Sequence, residues 1–235
     1  MKSKGESYDL ELRLSVPPLV KSKHSVMIFN GTELRSGRVP AEERCFVTTK
    51  DLFEYLGRDS DARFLPRCID TESFNPDVRP KEWSSKDGLI IGHFPTDRDI
   101  KGSNLVVSAV KKLQARGVRC NLVSEIVPHS EMPRYLSRID VLCDWFGKEA
   151  IYGIVSIEAL AVGTPVVCYV NERYYDYEEM KAFIEPCLPQ DDSISEAILR
   201  AAQRKLDPGL IREFFSPSRT VRVLIETLRE WKMVD

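Results

Sequence analysis

The sequence predicts an α/β fold in which buried helices alternate with short apolar strands, and three observations support this prediction. The first is the stretch 153–169, where Glu158 is the one fully charged side chain. Apolar neighbours cover almost every face of its helical wheel, which indicates a buried helix. Gly163 and Pro165 are typical helix-ending residues, and the apolar run after them predicts a core strand.

The second observation is a strand, loop and helix unit in the middle of the chain. Gly88–Phe94 is an apolar strand, Pro95–Ser103 is a polar loop, and Asn104–Arg116 has apolar side chains at helical spacing. A strand that enters a helix through a short loop is the repeating unit of a parallel sheet with right-handed crossovers.

The third observation is that short strands and helices also alternate elsewhere. The pattern predicts an exposed strand over 8–16, further strands at Ser25–Phe29, Cys45–Thr48, Ala62–Pro66, Arg119–Val123 and Ile139–Asp144, and helices over Lys50–Leu56, Ser130–Arg138, 172–184, 192–205 and 218–231.

A change of composition divides the chain into two parts. Ile69–Asp87 contains two prolines and several charges without an apolar period, which is typical of a linker. We therefore predict a short α/β domain with its linker over residues 1–84 and a second α/β domain over residues 85–235.

Composition excludes several classes of protein. The chain has 235 residues, 43% of them hydrophobic, which is enough for a substantial core. Its net charge of −2 gives no overall positive potential that would attract nucleic acid. Its six cysteines contain no C-x-x-C pair and are expected to be reduced. The sequence starts with a polar stretch and has no long apolar run, so we expect a cytoplasmic protein, with peripheral membrane contact left open.

Two common nucleotide-binding motifs are absent, yet charged residues remain at predicted helix ends. The sequence contains neither G-x4-G-K-[ST] nor G-x-G-x-x-G. Arg98 and Lys101 precede the helix of the central unit, where they would meet a diphosphate at a helix N-terminus. The alternative is that they are solvated loop cations. For Glu158 the alternative to ligand binding is a buried ion pair with an arginine.

Two short motifs resemble those of nucleotide-sugar glycosyltransferases with the GT-B fold, especially the GT4-like group. The first is Gly153-x4-Glu158-Ala159-x3-Gly163-x-Pro165-Val166, and the second is Arg98-x2-Lys101-Gly102. The resemblance implies a GT-B-like α/β fold, with a Rossmann-like C-terminal domain that binds the sugar nucleotide and a partial N-terminal Rossmann-like domain.

The resemblance also implies roles for particular residues. It assigns the diphosphate to Arg98 and Lys101 and the ribose to Glu158 as the catalytic set, and it brings Gly102 and the backbone of Tyr152, Gly153 and Ile154 close to the bound nucleotide. Glu125, residues 127–129 and Asp144-Trp145 fall near the edge that holds the base. One departure concerns an outer acid of the family, because this chain has Ala150 at that position and Glu149 one place away.

The function implied by the resemblance is transfer of a hexose from a nucleotide-diphosphate sugar to an unidentified acceptor, with retention of configuration. The sugar nucleotide would be the donor substrate, and neither a cofactor nor a metal is expected. A noncatalytic nucleotide-sugar-binding subunit or sensor and an epimerase are the alternatives. Asn30 stands where some relatives have a His-Gly-x3-Arg motif, so Asn30 and Arg35 remain either loop or site residues.

The short first part of the chain leads to one further expectation. Fewer than 85 residues precede the predicted second domain, whereas a complete first domain needs several βα units. An incomplete sheet leaves an unpaired edge, and proteins usually cover such edges. We therefore expect self-association, or pairing with another polypeptide, through residues 1–70.

Overall fold

The computed structural model forms two compact units. It describes residues 8–14, 22–37, 44–57, 60–78, 88–147, 152–175 and 181–235. The first unit consists of Met1–Cys68 with Pro217–Asp235, and the second unit is Ile69–Ser216.

The first unit contains a parallel sheet of four described strands in the order β1-β2-β3-β4. One of its two inner strands, Ser22–Phe29, has four consecutive buried residues at its carboxyl end, as expected for a strand inside a parallel sheet. The elements are β1 (Tyr8–Leu14), β2 (Ser22–Phe29), α1 (Thr32–Arg35), β3 (Arg44–Val47), a 3-10 helix (Lys50–Tyr55), β4 (Asp61–Phe64) and, from the end of the chain, the helix Pro217–Glu230.

The C-terminal helix packs on one face of this sheet. Leu228 and Trp231 are buried in a cluster with apolar side chains of β2 and β3. The ring of Trp231 lies 5.1 Å from that of Phe46, and its indole N–H donates to Asp61 at 2.7 Å. This polar contact fixes the orientation of a large apolar anchor.

Strand β1 alternates as its sequence predicts, but its buried charges were not expected. Leu12 and Leu14 are exposed, whereas Glu11 and Arg13 on the opposite face are buried. Ser25 of β2 lies between these two charges, accepting from Arg13 at 2.6 Å and donating to Glu11 at 3.3 Å. The charged face is therefore stabilised by hydrogen bonds across the strand pair.

The second unit contains a parallel sheet of five described strands in the order β6-β5-β7-β8-β9. The predicted α/β class with parallel sheets is therefore confirmed. The strands are β5 (Leu89–Gly92), β6 (Cys120–Val123), β7 (Val141–Cys143), β8 (Val166–Cys168) and β9 (Glu185–Pro186); the helices are α2 (Arg98–Lys101), α3 (Ser103–Ala115), α4 (Met132–Leu136), α5 (Ile154–Ala161), α6 (Asp191–Ala201) and α7 (Pro208–Phe214), which makes the C-terminal helix α8.

Helices cover the second sheet on both faces, which produces two hydrophobic clusters. Apolar side chains of α3 and α6 share one cluster, and those of α4, α5 and α7 share the other. Helix α5 is the most enclosed, because every residue from Ser156 to Ala161 is buried. The burial of Glu158 is therefore a consequence of the position of its helix in the core.

Several local predictions need correction. Residues 98–101, predicted as loop, form helix α2, because the carboxylate of Asp97 accepts from the backbone N–H groups of Asp99 and Ile100. Residues 172–175 form turns rather than the start of a helix, and 176–180 lie outside the described residues. Helix α7 and strand β9 were not predicted. Within the described ranges, no helix is long and apolar enough to cross a membrane.

Candidate functional site

Several of the predicted site residues lie at the carboxyl edge of the second sheet. Strands β5 and β7 end there, directly before His93 and Asp144, and helix α5 begins nearby after Gly153. In open parallel sheets this edge is the usual place for ligands.

Lys101 forms an ion pair with Asp144 at this edge. Its Nζ lies 2.7 Å from Oδ1 of Asp144, and the two side chains are only 14% and 3% exposed. The same ammonium lies 4.2 Å from the centre of the Trp145 ring. Because both charges are shielded from water, their attraction is screened much less than that of a surface pair.

The second oxygen of Asp144 accepts hydrogen bonds from the amino end of α5. The backbone N–H of Gly153 and the hydroxyl of Ser156 both donate to Oδ2 at 2.6 Å. Burial by itself raises the pKa of Asp144, but the charge of Lys101 and the hydrogen bonds outweigh it, so that the pKa is lowered. Asp144 is therefore a buried anion that accepts hydrogen bonds from Lys101, Gly153 and Ser156.

Two glycines of the motifs leave room for these contacts. A Cβ on Gly153 would lie 2.6 Å from Oδ2 of Asp144 and 2.9 Å from Nζ of Lys101, so a side chain there would displace the pair. Gly102 has a φ of 69°, and a Cβ on it would lie 3.2 Å from the Cβ of Phe146. Its left-handed conformation lets α2 end directly before α3 begins.

Glu158 is hydrogen-bonded to a histidine rather than to an arginine. Nε2 of His129 lies 2.7 Å from Oε1 of Glu158; the carboxylate side chain is 4% exposed and the imidazole 72%. Burial raises the pKa of Glu158, and His129 offsets part of that increase. The His129 ring also lies 5.5 Å from the ring of Phe74. Glu158 is thus a buried acceptor at the boundary with solvent.

The other predicted residues have less direct positions. Arg98 is exposed, and its guanidinium has no hydrogen-bond partner among the described residues. Ile154 is 39% exposed at the start of α5, while the ring of Tyr152 packs 5.7 Å from that of Tyr175. Ala150 and its neighbour Glu149 lie outside the described residues.

His93 is a packed residue that joins three elements. Nδ1 is 2.8 Å from the carbonyl oxygen of Cys143, and Nε2 is 2.8 Å from Oγ of Ser103. Since the carbonyl needs a donor, Nδ1 carries the proton and Nε2 accepts from the hydroxyl. Burial lowers the pKa of His93. This neutral ring holds the end of β5 against β7 and the start of α3.

Sequence reasoning missed the partners of the motif residues. Asp144 and His129 were assigned to the edge that holds a base, and Ser156 was not singled out. The contact between Lys101 and Asp144 spans 43 positions of the chain, so no helical or strand period reveals it. The available signal was weak: an aspartate that directly follows an apolar strand.

The described side chains at this edge include both hydrogen-bond acceptors and hydrogen-bond donors. Glu158 can accept hydroxyl groups, and Lys101 with the N–H groups at the start of α5 can donate to an oxyanion. Among the described residues there is no group of three histidine, cysteine or acidic side chains placed to hold a metal ion.

Comparisons with known proteins find similarity in structure and not in sequence. No protein-family model matches the chain, and no curated protein matches it. Sucrose-phosphate synthase from Thermosynechococcus elongatus aligns at 17% identity and a TM-score of 0.59, over 88% of this chain and 67% of its own. A glycosyltransferase from Rickettsia africae aligns at 13% identity and a TM-score of 0.61, over 88% and 70%.

A third solved structure was crystallised with ligands. Anabaena HepE, in complex with UDP and glucose, aligns at 14% identity and a TM-score of 0.57, over 88% of this chain and 71% of its own. At identities this low, the similarity concerns the fold. The chain therefore has an α/β fold of the kind found in GT-B glycosyltransferases, with Rossmann-like parallel sheets.

Proposed function

We propose that the chain binds a nucleotide-diphosphate sugar at the carboxyl edge of the second sheet and transfers the sugar to an acceptor hydroxyl. The observation that carries the proposal is Glu158, a carboxylate that is 3% exposed in the middle of a buried helix whose other residues, apart from Ser156, are apolar. An acid in this position has a large desolvation cost, which hydroxyl donors of a ribose would offset.

The neighbouring groups fit the rest of such a ligand. Lys101, Gly102 and the N–H groups at the start of α5 would face the diphosphate, while Tyr152, Gly153 and Ile154 would lie along it. Exposed Arg98 would contact the outer phosphate. In this arrangement cations and helix-end amides stabilise the negative charge that develops on a leaving diphosphate, and Glu158 positions the reacting carbon.

Hexose transfer with retention is the finer form of this proposal, and it rests on the motif resemblance. No side chain of the described site is assigned as general base. In a retaining reaction the departing diphosphate itself can assist the incoming hydroxyl, so that no protein base is required.

A second candidate function is nucleotide-sugar binding without turnover. The observation that favours it is the ion pair of Lys101, whose charge is already matched by Asp144 at 2.7 Å. A neutralised lysine stabilises a leaving diphosphate less than a free one. The chain would then act as a sensor or as a noncatalytic subunit.

The proposal is tested by calorimetric titration with UDP, GDP and ADP sugars. We expect one nucleotide series to bind and Glu158→Ala to weaken it about ten- to a hundredfold, because ribose hydroxyls lose a charged acceptor worth about 1.5–3 kcal/mol. Glu196→Ala is the control, since it removes a surface carboxylate that pairs with Arg116 on the same unit. Equal affinities for wild type and Glu158→Ala would contradict the proposal.

Release of the nucleoside diphosphate separates the two candidate functions. If the chain is a transferase, incubation of the bound sugar nucleotide with simple sugar acceptors should release the nucleoside diphosphate and form a new glycoside, and incubation with water alone should release it together with the free sugar. Tight binding without any release would favour the noncatalytic alternative.

A further inference from the structure

We propose that Asp144 occupies the anion-binding position between Lys101 and helix α5, and that it thereby lowers the affinity of the site for diphosphates. The inference rests on the proposed function, because it concerns the same site. It adds a specificity-determining residue that competes with the ligand instead of binding it.

The contacts of the carboxylate are those that a phosphate group would make. Asp144 accepts from the ammonium of Lys101 at 2.7 Å, from the N–H of Gly153 at 2.6 Å and from the hydroxyl of Ser156 at 2.6 Å. A cation, a helix-end amide and a hydroxyl form the usual donor set for an oxyanion. Here an internal carboxylate already engages all three.

The donors have little freedom to serve a second anion at the same time. Asp144 is 3% exposed and Lys101 14%, so water does not screen the carboxylate from an incoming phosphate. Gly153 is close to both groups, since a Cβ on it would lie within 3 Å of each. A diphosphate must therefore draw Lys101 away from Asp144 or bind against the full charge of that carboxylate.

The pair is more than a structural ion pair because its position coincides with the predicted ligand groups. Two of the three donors, Lys101 and Gly153, belong to the two separate motifs that resemble sugar-nucleotide sites. An ordinary buried pair would have no reason to include both. Removing the charge of Asp144 should leave these donors available for a ligand.

The test compares binding of inorganic pyrophosphate and UDP to wild type and Asp144→Asn. We expect the variant to bind pyrophosphate about tenfold more tightly or better, the factor that corresponds to one charge-assisted hydrogen bond. Adding Lys101→Met to Asp144→Asn should abolish the gain. The control is Asp140→Asn, which removes the same charge at the opposite end of β7, where Asp140 accepts from the N–H of Ile90 at 2.7 Å.

The outcomes separate this inference from the proposed function. Unchanged or weaker pyrophosphate binding by Asp144→Asn would overturn the inference, whatever UDP does. Tighter pyrophosphate binding with no added affinity for UDP would support the inference and contradict the placement of a UDP diphosphate between Lys101 and helix α5. If Asp144→Asn does not fold, Asp144→Ser provides the same comparison, because its hydroxyl still offers an acceptor to the N–H of Gly153.

Discussion

The two units each bury an aspartate against a cation, and the two pairs differ in what else they engage. In the first unit Asp51 is 1% exposed and its Oδ2 accepts from Nε and Nη2 of Arg35 at 2.7 and 2.6 Å. Its Oδ1 has no hydrogen-bond partner among the described residues. In the second unit both oxygens of Asp144 accept hydrogen bonds, one of them from the amino end of a buried helix.

This difference distinguishes an ion pair that supports local structure from one whose contacts resemble those of a bound anion. Arg35 lies on the short helix α1, and it also donates to Thr49 at 3.2 Å just before the 3-10 helix that carries Asp51. The Arg35–Asp51 pair therefore joins the connection between β2 and β3 to the connection between β3 and β4. Asp144 instead accepts hydrogen bonds from a lysine, a helix-end amide and a hydroxyl, which are groups that bind anions.

The largest effect is expected when the second pair is broken. Asp144→Ala leaves Lys101 with little solvent and removes the acceptor of Gly153 and Ser156, so the free energy of unfolding should fall by roughly 3–5 kcal/mol. Denaturant unfolding of the full chain measures this loss. Excess pyrophosphate should restore part of it, because a ligand that binds only the folded state stabilises it. A loss below about 1 kcal/mol would show that the pair contributes little.

Breaking the first pair should cost less. Asp51→Ala also removes the unpartnered Oδ1, whose burial is already unfavourable, so we expect a loss of about 1–2 kcal/mol. Arg35 remains able to donate to Thr49. Pyrophosphate affinity should be unchanged in this variant. A clear change in that affinity would assign anion binding to the first unit and remove the contrast between the pairs.

Sequence patterns predicted those parts of the molecule that depend on local rules. The buried helix predicted from Gly153 to Gly163 is observed as Ile154–Ala161, because apolar side chains on all faces leave few alternatives. Helix α7 was missed although Asp207 caps it and Pro208 opens it, two signals that its short length made easy to overlook. The Lys101–Asp144 pair was not predictable, since it depends on how β5 and β7 are placed side by side.

A smaller change in stability is expected from pH, and it has opposite signs for Glu158 and Asp144 of the second unit. The pKa of Glu158 is raised in the folded state, so its stabilising contribution is present below about 4.5 and is lost as pH rises through the folded value. The lowered pKa of Asp144 gives the reverse: its contribution is present above about 3.8 and is lost as pH falls through the folded value.

Comparison of wild type with Glu158→Gln isolates the first of these contributions. The stability advantage of wild type over the variant should be larger at pH 4 than at pH 7, because glutamine does not titrate. Urea unfolding at the two pH values measures it. An advantage that grows toward pH 7 would indicate that the folded protein stabilises the ionised carboxylate of Glu158.

The smallest effect concerns the edge of the first sheet, where we propose self-association. β1 is one of the two edge strands of the described sheet, and Tyr8, Leu12 and Leu14 on it are 45%, 42% and 60% exposed. Leu14→Lys should shift a weak dimer toward monomer in analytical ultracentrifugation at micromolar concentration. Tyr55→Lys, at a residue 40% exposed outside β1, is the control. A wild-type monomer at all concentrations would contradict the expectation.

The most direct test of the account is a crystal structure of the wild-type chain with the nucleotide that binds most tightly in the titrations. We predict a ribose hydroxyl on Glu158, phosphate oxygens on the ammonium of Lys101 and on the N–H of Gly153, and a Lys101–Asp144 separation longer than the present 2.7 Å. A nucleotide bound away from α5, with Lys101 still paired to Asp144 and Glu158 in contact with His129 alone, would contradict it.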